Sequence, residues 1–123
     1  MHDPAGFLRN EAIPLIRTVA RRLDAAGHHS TVQDLLDLPE PALRFLLWPH
    51  PGPLAGQGER LLLTLELTVG EVEQDVLAAR YWTGSRPASG SVEHLGTVIT
   101  AQLTPSWIET QVLAFVEVAL QRA

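Results

Sequence analysis

The five histidines are the first residues whose side-chain chemistry has to be considered. His28 and His29 are adjacent, so their side chains would face opposite sides of a strand or diverge by about 100° on a helix. Neither arrangement gives the i, i+4 pair that holds a metal on one helix face. His2, His50 and His94 lie in predicted loops or near a chain end. Because a metal site would need these distant residues to converge, we expect ordinary exposed histidines and no metal or other cofactor.

Acidic residues are concentrated around the end of one predicted strand. Glu66 lies on the polar face of that strand, and Glu71, Glu73 and Asp75 crowd the turn that follows. Two carboxylates in a shared pocket are the usual requirement for general acid–base catalysis, so one interpretation is a catalytic cleft. The other interpretation, which we favour, is a solvated strand face followed by an acidic loop.

The remaining motifs do not indicate a nucleophile or a phosphate-binding loop. The segment Gly84-Ser85-Arg86 lacks the second glycine of a nucleophile elbow. The glycines at positions 52, 56 and 58 are interleaved with proline and precede a predicted strand rather than a helix. The chain contains no lysine and no cysteine, which excludes Schiff-base lysines, thiol nucleophiles, disulfides and cysteine metal sites. We therefore predict that the protein is not an enzyme.

Composition limits the class of protein further. A length of 123 residues with 46% hydrophobic residues predicts a single globular domain, residues 1–123. The net charge of −5 opposes general binding to nucleic acid, because phosphate backbones are also negative. The N-terminus does not have the pattern of a signal peptide, and no apolar run approaches the roughly 20 residues of a membrane span. We expect a cytoplasmic protein that does not enter a membrane.

The N-terminal pattern predicts an amphipathic helix over residues 11–26, with an optional kinked extension back to Pro4. Gly27 is expected to end this helix as a left-handed cap. The next segment, 31–37, begins with a motif resembling a capping box. A short helix and a strand both remain open there.

Alternating apolar residues then predict a sheet. Strands are expected at 42–48, 60–69 and 97–103, and the segment 75–83 is ambiguous but favours a strand over a helix. The strict alternation in 60–69 predicts one buried face and one solvated face. The order of elements predicts an α+β fold, an antiparallel β-sheet with the N-terminal and C-terminal helices packed on one face.

The closing helix, predicted at 107–122, carries more apolar surface than one sheet face can cover. Ten of these sixteen residues are apolar and sweep an arc of roughly 260°, whereas packing on one sheet needs little more than about 100°. Thr110, Glu117 and Gln121 form the narrow polar strip that remains. We therefore predict a partner or dimer interface on this helix, formed by Trp107, Leu113, Ala114, Val118 and Leu120.

The three tryptophans, Trp48, Trp82 and Trp107, each stand at the end of a predicted element. They could line one shared hydrophobic groove, since tryptophan is enriched at the centres of interfaces. Packing within the core or at its boundary is the alternative for each residue taken singly.

The C-terminal third, TVITAQLTPSWIETQVLAFVEVAL, resembles the end of a YbjN-like protein. In both, a strand runs through a short turn into a helix, here with apolar Ile108, Val112, Phe115 and Ala119. The family usually has glycines and acidic residues at that turn, where residues 103–106 read Leu-Thr-Pro-Ser. Its middle helix is missing unless 72–82 supplies it. The resemblance implies a fold like the bacterial type III secretion chaperones and a non-catalytic homodimer that binds another polypeptide.

The sequence thus predicts a cytoplasmic, homodimeric, chaperone- or adaptor-like module that binds a protein partner. Two alternatives remain open. One is a small-molecule-binding or enzymatic domain with a pocket between the sheet and the C-terminal helix. The other is an immunity- or antitoxin-like inhibitor of a toxic enzyme.

Overall fold

A computed structural model describes residues 3–49, 61–70, 75–87 and 91–121 of the protein. Five strands form one antiparallel sheet in which each strand pairs with its neighbours in the chain. Helical segments precede and follow the strands, so the α+β class predicted from the sequence is confirmed. None of the helices in these described ranges is long and apolar enough to cross a membrane.

The N-terminal helical segment is continuous but irregular. Helix α1 (Pro4–Phe7) leads through a π-helical turn (Leu8–Ala12) into helix α2 (Ile13–Ala25). Pro14 is the second residue of α2, just after the π-helical turn, and proline has no N–H to donate to the carbonyl four residues before it. The predicted extension back to Pro4 is therefore present, and a π turn, a recognised cause of helix distortion, supplies its irregularity.

Gly27 caps the C-terminal end of helix α2, as the sequence predicts. Gly27 has a φ of 93°, in the left-handed region that favours glycine. The His28 N–H donates to the Leu23 carbonyl at 2.8 Å, and the Gly27 N–H donates to the Asp24 carbonyl at 2.9 Å. This pair of hydrogen bonds is a Schellman motif, which satisfies the last carbonyls of the helix and turns the chain into the first strand.

The sheet is a meander with a continuous register. Arg44 faces Glu66 on one neighbouring strand and Gln33 on the other, and a single irregularity occurs between Ala79 and Arg80. The five strands are β1 (His29–Leu35), β2 (Ala42–Trp48), β3 (Leu63–Val69), β4 (Val76–Thr83) and β5 (Glu93–Ile99).

Two ambiguous predictions are settled by this sheet. The segment 31–37 falls mostly in strand β1, so the strand alternative is correct and the short helix is wrong. The segment 75–83 forms strand β4, as favoured from its sequence. Both strands depend on pairing with distant residues, which a local motif such as a capping box does not report.

The last strand begins and ends earlier than predicted. The sequence placed it at 97–103, whereas β5 ends at Ile99 and residues Thr100–Gln102 form a 3-10 turn. The Thr100 N–H donates to the Asp75 carbonyl at 2.8 Å, and the Leu103 N–H donates to the Thr100 carbonyl at 3.2 Å. These bonds turn the chain away from the sheet once the ladder to β4 is complete.

The closing helix α3 (Pro105–Gln121) starts at the Thr104-Pro105 pair. The Thr104 hydroxyl accepts a hydrogen bond from the Trp107 N–H at 3.2 Å, and Pro105 occupies the first helical position, where a missing N–H costs little. The buried side of the helix consists of Ile108, Gln111, Val112, Phe115 and Ala119.

Helices α2 and α3 cover the same face of the sheet. Phe115 of α3 lies with its ring centroid 6.0 Å from Phe45 and 6.1 Å from Tyr81. Inward-facing leucines of β2 and β3 and the buried residues of α2 belong to the same cluster. The predicted packing of both helices on one face is therefore confirmed, and their common core is built from alternate residues of the strands.

The opposite face of the sheet, which we call the helix-free face, is not solvated in the way the sequence predicted. All seven residues of β3 are buried, including the outward-facing Thr64, Glu66 and Thr68. Alternation correctly separates the two faces, but it does not report cross-strand polar pairs. Such pairs bury Glu66 without leaving its charge unpaired.

Candidate functional site

A row of polar side chains crosses the helix-free face from one edge of the sheet to the other. Its five members are opposite one another in the strand register, one from each strand. Side chains that are directly opposite on neighbouring strands lie close enough to interact. We call this set the polar row: Gln33, Arg44, Glu66, Arg80 and His94.

The centre of the polar row is a carboxylate held between two guanidinium groups. The Arg44 Nε donates to Glu66 Oε2 at 2.7 Å. Arg80 donates to Glu66 Oε1 through Nε at 3.0 Å and through Nη2 at 2.7 Å. Both carboxylate oxygens therefore accept charge-assisted hydrogen bonds, and this pairing is what allows Glu66 to be only 3% exposed.

Trp82 is the aromatic neighbour of both arginines. The guanidinium carbons of Arg44 and Arg80 each lie 5.6 Å from its ring centroid, within the range of cation–π attraction. The ring is buried, and its Nε1 has no hydrogen-bond partner among the residues that the structure describes. Trp82 thus helps to orient the two arginines through its ring face rather than through its polar nitrogen.

At the centre of the polar row, two guanidinium groups share one carboxylate. Arg44 and Arg80 contribute two positive charges and Glu66 one negative charge, since arginine stays protonated in proteins. The arginine side chains retain 30% and 21% of their exposure, whereas the glutamate side chain retains 4%. The buried acid therefore fixes two guanidinium groups that still reach the surface.

An open cleft of about 450 Å³ adjoins these arginines. One side is formed by strand residues and the other by the loop that joins β1 to β2. Its lining comprises Leu35, Leu38, Pro39, Glu40, Ala42, Arg44, Glu66, Thr68 and Arg80. The cleft thus combines apolar residues with two arginines and two glutamates.

Local contacts hold the loop that forms the outer wall of the cleft. The Asp34 carboxylate accepts a hydrogen bond from the Leu36 N–H at 3.0 Å, which turns the chain at the end of β1. Arg9, in the π-helical turn, donates to Asp37 at 3.1 Å. This ion pair therefore links the N-terminal helical segment to the loop between β1 and β2.

The carboxylates singled out from the sequence do not assemble into a catalytic pair among the described residues. Glu66 was expected on a solvated face; this expectation is wrong, because both of its oxygens accept arginine hydrogen bonds. Asp75 is exposed at the start of β4. Glu71 and Glu73 lie outside the described residues.

The histidines are spread over the part of the chain that the structure describes. The His29 ring lies 4.9 Å from Trp48 at 34° between planes, and His94 is exposed at the end of the polar row. His28 is half-buried beyond the end of α2. Within residues 3–49, 61–70, 75–87 and 91–121, no three metal-ligating side chains meet. His2 and His50 lie outside these ranges.

The tryptophans do not share the groove that the sequence suggested. Trp107 packs against the core on the helix side of the sheet. Trp82 lies on the helix-free face with the arginines, and Trp48 contacts His29 at the edge strand. Their positions at element ends therefore reflect three separate surroundings.

The predicted interface residues of α3 occupy two flanks of the helix. Leu113 and Leu120 are 46% and 39% exposed. Trp107 and Val118 are partly buried against the core, and Ala114 is half-buried. At 100° per residue, the two leucines lie within about 20° of each other and the other three lie across the polar strip. The exposed apolar surface of α3 is therefore narrower than the sequence suggested.

Leu113 also borders a shallow groove between α2 and α3. This groove has a volume of about 240 Å³. It is lined by Leu15, Thr18, Val19, Arg22, Glu109 and Leu113. The exposed side chain of Leu113 thus lies at the edge of a groove between α2 and α3.

Sequence reasoning did not identify Arg44 and Arg80, although a signal was present. Each lies near the middle of a predicted strand, on the same face as Glu66. Charges that alternate from positive to negative to positive on three consecutive antiparallel strands indicate a row of cross-strand ion pairs. Recognising it required the register, which single-strand alternation does not supply.

Comparison of the chain with protein-family models, curated proteins and solved structures finds no match. The resemblance to YbjN-like proteins consequently stays a prediction. Residues 76–83 form a strand, so this part of 72–82 does not supply the middle helix of that family.

Proposed function

We propose that this protein is a non-catalytic, chaperone- or adaptor-like module that forms a homodimer through α3 and binds a protein partner. The observation that carries the proposal is the pair of exposed leucines, Leu113 and Leu120, stacked on one side of an otherwise well-packed helix. We propose the cytoplasm as its compartment, following the expectation from the sequence.

The physical reason for self-association is the burial of apolar surface. The leucines are two turns apart, and an isologous dimer places the same strip of each copy against the other. Each square ångström of apolar surface removed from water contributes roughly 25 cal/mol, less the cost of association. The groove beside Leu113 offers space for a side chain of the second copy.

Light scattering coupled to size-exclusion chromatography tests the homodimer. We expect a solution mass of about twice the 13.5 kDa of one chain for the wild type. Leu113→Asp and Leu120→Asp place a charge in the strip and should give the mass of one chain, because an unpaired charge is costly to bury.

Thr110→Asp is the matched control, since Thr110 is exposed on the polar strip of the same helix. It adds the same charge outside the leucine strip and should leave the dimer intact. A folded wild-type protein that stays at the mass of one chain at high concentration would refute the homodimer.

The partner-binding part of the proposal needs a separate measurement. Co-purification from the native host should identify candidate proteins, and calorimetry with the purified candidate and purified wild type should then reproduce the complex. If no co-purifying protein binds in the reconstituted system, this part of the proposal fails even where the dimer is found.

A further inference from the structure

We propose that the cleft on the helix-free face binds a carboxylate carried beside a branched apolar group and an N–H donor. A leucine-like amino acid has this chemistry, either as a free acid or as the last residue of a polypeptide. The inference concerns the face opposite α3 and does not depend on the homodimer.

Arg44 provides the group that receives the carboxylate. Its Nε donates to Glu66, and its terminal nitrogens have no partner among the described residues. The side chain lines the cleft and is 30% exposed. Because guanidinium presents parallel N–H donors in a plane, an incoming carboxylate can accept two of them.

Glu66 prepares this arginine for binding. The buried carboxylate holds the Arg44 and Arg80 guanidinium groups from below, and Trp82 lies 5.6 Å from both. A side chain that is already ordered loses little rotamer entropy when a ligand binds. Because Glu66 shares its carboxylate between two arginines, it does not fully neutralise the Arg44 guanidinium, which can still attract an incoming carboxylate.

The opposite part of the cleft is apolar. Leu35, Leu38, Pro39 and Ala42 form it, and Leu38 is 51% exposed. A ligand that covers the exposed Leu38 side chain removes apolar surface from water, which contributes favourably to the free energy of binding. A branched aliphatic group of leucine size can contact this wall while its carboxylate faces Arg44.

Glu40 determines which carboxylates fit best. It is exposed at the rim of the cleft, where water and salt screen its repulsion of an incoming anion. Its oxygens can accept a hydrogen bond from an N–H that is carried beside the ligand carboxylate. Free amino acids, acylated amino acids and peptide C-termini all have this donor.

Isothermal titration calorimetry with two matched probes tests the inference. N-acetyl-L-leucine has the carboxylate, the branched side chain and the N–H, whereas N-acetyl-L-leucinamide keeps the side chain and the N–H but carries a neutral carboxamide in place of the carboxylate. We expect the acid to bind at least about tenfold more tightly, as the loss of a charge-assisted hydrogen bond implies. Equal affinities, or no binding of the acid, would overturn the proposal.

Two variants locate the site. Arg44→Gln removes the anion-binding group, and Leu38→Asp replaces the aliphatic side chain of the apolar wall by a hydrated carboxylate, so that the contact with the ligand's branched group is lost; each should weaken binding of the acid at least about tenfold. Leu38 forms none of the described ion pairs and is exposed, so its variant remains informative if Arg44→Gln fails to fold. An unchanged affinity for Leu38→Asp would overturn the placement of the ligand.

Leu120→Asp is the control on the other side of the molecule. It should bind N-acetyl-L-leucine as the wild type does, even where it abolishes the homodimer. Failure of the dimer and failure of the cleft are thereby distinguished.

Free L-leucine and a tetrapeptide ending in leucine separate the two sources of the ligand. Tighter binding of the tetrapeptide supports a polypeptide C-terminus, and tighter binding of the free amino acid supports a small metabolite. If the tetrapeptide acid and its C-terminal amide bind equally, the carboxylate is not recognised and the proposal is wrong.

Discussion

At the scale of single residues, the buried Glu66 is the feature on which the helix-free face depends. Taking a carboxylate out of water costs several kcal/mol unless it is paired and hydrogen-bonded. Arg44 and Arg80 supply that pairing with three hydrogen bonds. The carboxylate in turn helps to order both arginines, together with the Trp82 ring.

Glu66→Gln should lower the free energy of unfolding by about 2 kcal/mol. This is less than the roughly 3–5 kcal/mol for a fully buried pair, because both arginines can be rehydrated at their exposed ends. Urea denaturation measures the change. Glu117→Gln, at an exposed glutamate on α3, is the control and should stay within about 0.5 kcal/mol of the wild type. A Glu66 variant as stable as this control would contradict the pairing.

Trp82→Phe should be tolerated far better than Trp82→Ala. The indole Nε1 has no partner in the described part of the chain, so phenylalanine loses no hydrogen bond seen there and keeps a ring beneath the arginines. We expect about 1–2 kcal/mol for phenylalanine and about 3–5 kcal/mol for alanine, which leaves a large cavity. Thermal or urea unfolding gives both values. Equal losses would mean that the indole nitrogen has a partner in solution.

At the scale of elements, α3 meets β5 through a glycine and a buried glutamine. A Cβ on Gly96 would lie 3.2 Å from Gln111 Oε1 and 3.5 Å from its Nε2. Such a contact is close, and the buried Gln111 has little room to move. The missing side chain at Gly96 therefore sets how near α3 can approach the edge strand.

Gly96→Ala should be at least about 1 kcal/mol more favourable in a Gln111→Ala background than in the wild type. Gln111→Ala removes the side-chain amide that the new methyl group at position 96 would contact. Residues in contact have coupling free energies of this order of magnitude. A double-mutant cycle of urea denaturation experiments measures the coupling. Additive effects of the two substitutions would show that α3 and β5 do not approach closely at this point.

The comparison between sequence and structure also belongs at this scale. Residues 42–48 were predicted at the bounds that β2 has, because alternation and flanking prolines are local signals. The prediction for strand β1 was ambiguous because apolar and polar residues do not alternate regularly along this largely exposed strand. The arginine–glutamate pairs were missed because they join residues 22 and 14 positions apart, which only the strand register brings together. Local patterns predicted the elements; the site depends on pairings between them.

At the scale of the whole molecule, the two faces of the sheet present different surfaces, for which we propose different roles. Helices α2 and α3 bury one face and present the exposed leucines of α3 at its outer side. The other face carries the polar row and the cleft. Self-association and ligand binding are therefore proposed on opposite sides, where one need not block the other.

The melting temperature should rise with protein concentration if the homodimer forms. Association stabilises the folded chain by mass action, since the unfolded chain does not dimerise. Differential scanning fluorimetry over a hundredfold concentration range should show this rise for the wild type and a flat response for Leu113→Asp. A flat response for both proteins would contradict the homodimer.

The polar row has a further consequence for how the chain finds its sheet. Large apolar residues recur at every second position of β2 and β3, so sliding one strand by two residues would still place apolar side chains on the helix side. Hydrophobic burial alone hardly distinguishes that mispaired state from the native one. In a shifted pairing of β2 with β3, however, Arg44 would oppose Thr64 or Thr68, and Glu66 would lose one of its two arginine partners. The buried Glu66 carboxylate thus favours the native register of β2 and β3 over a pairing shifted by two residues, which the repeating apolar residues alone would allow.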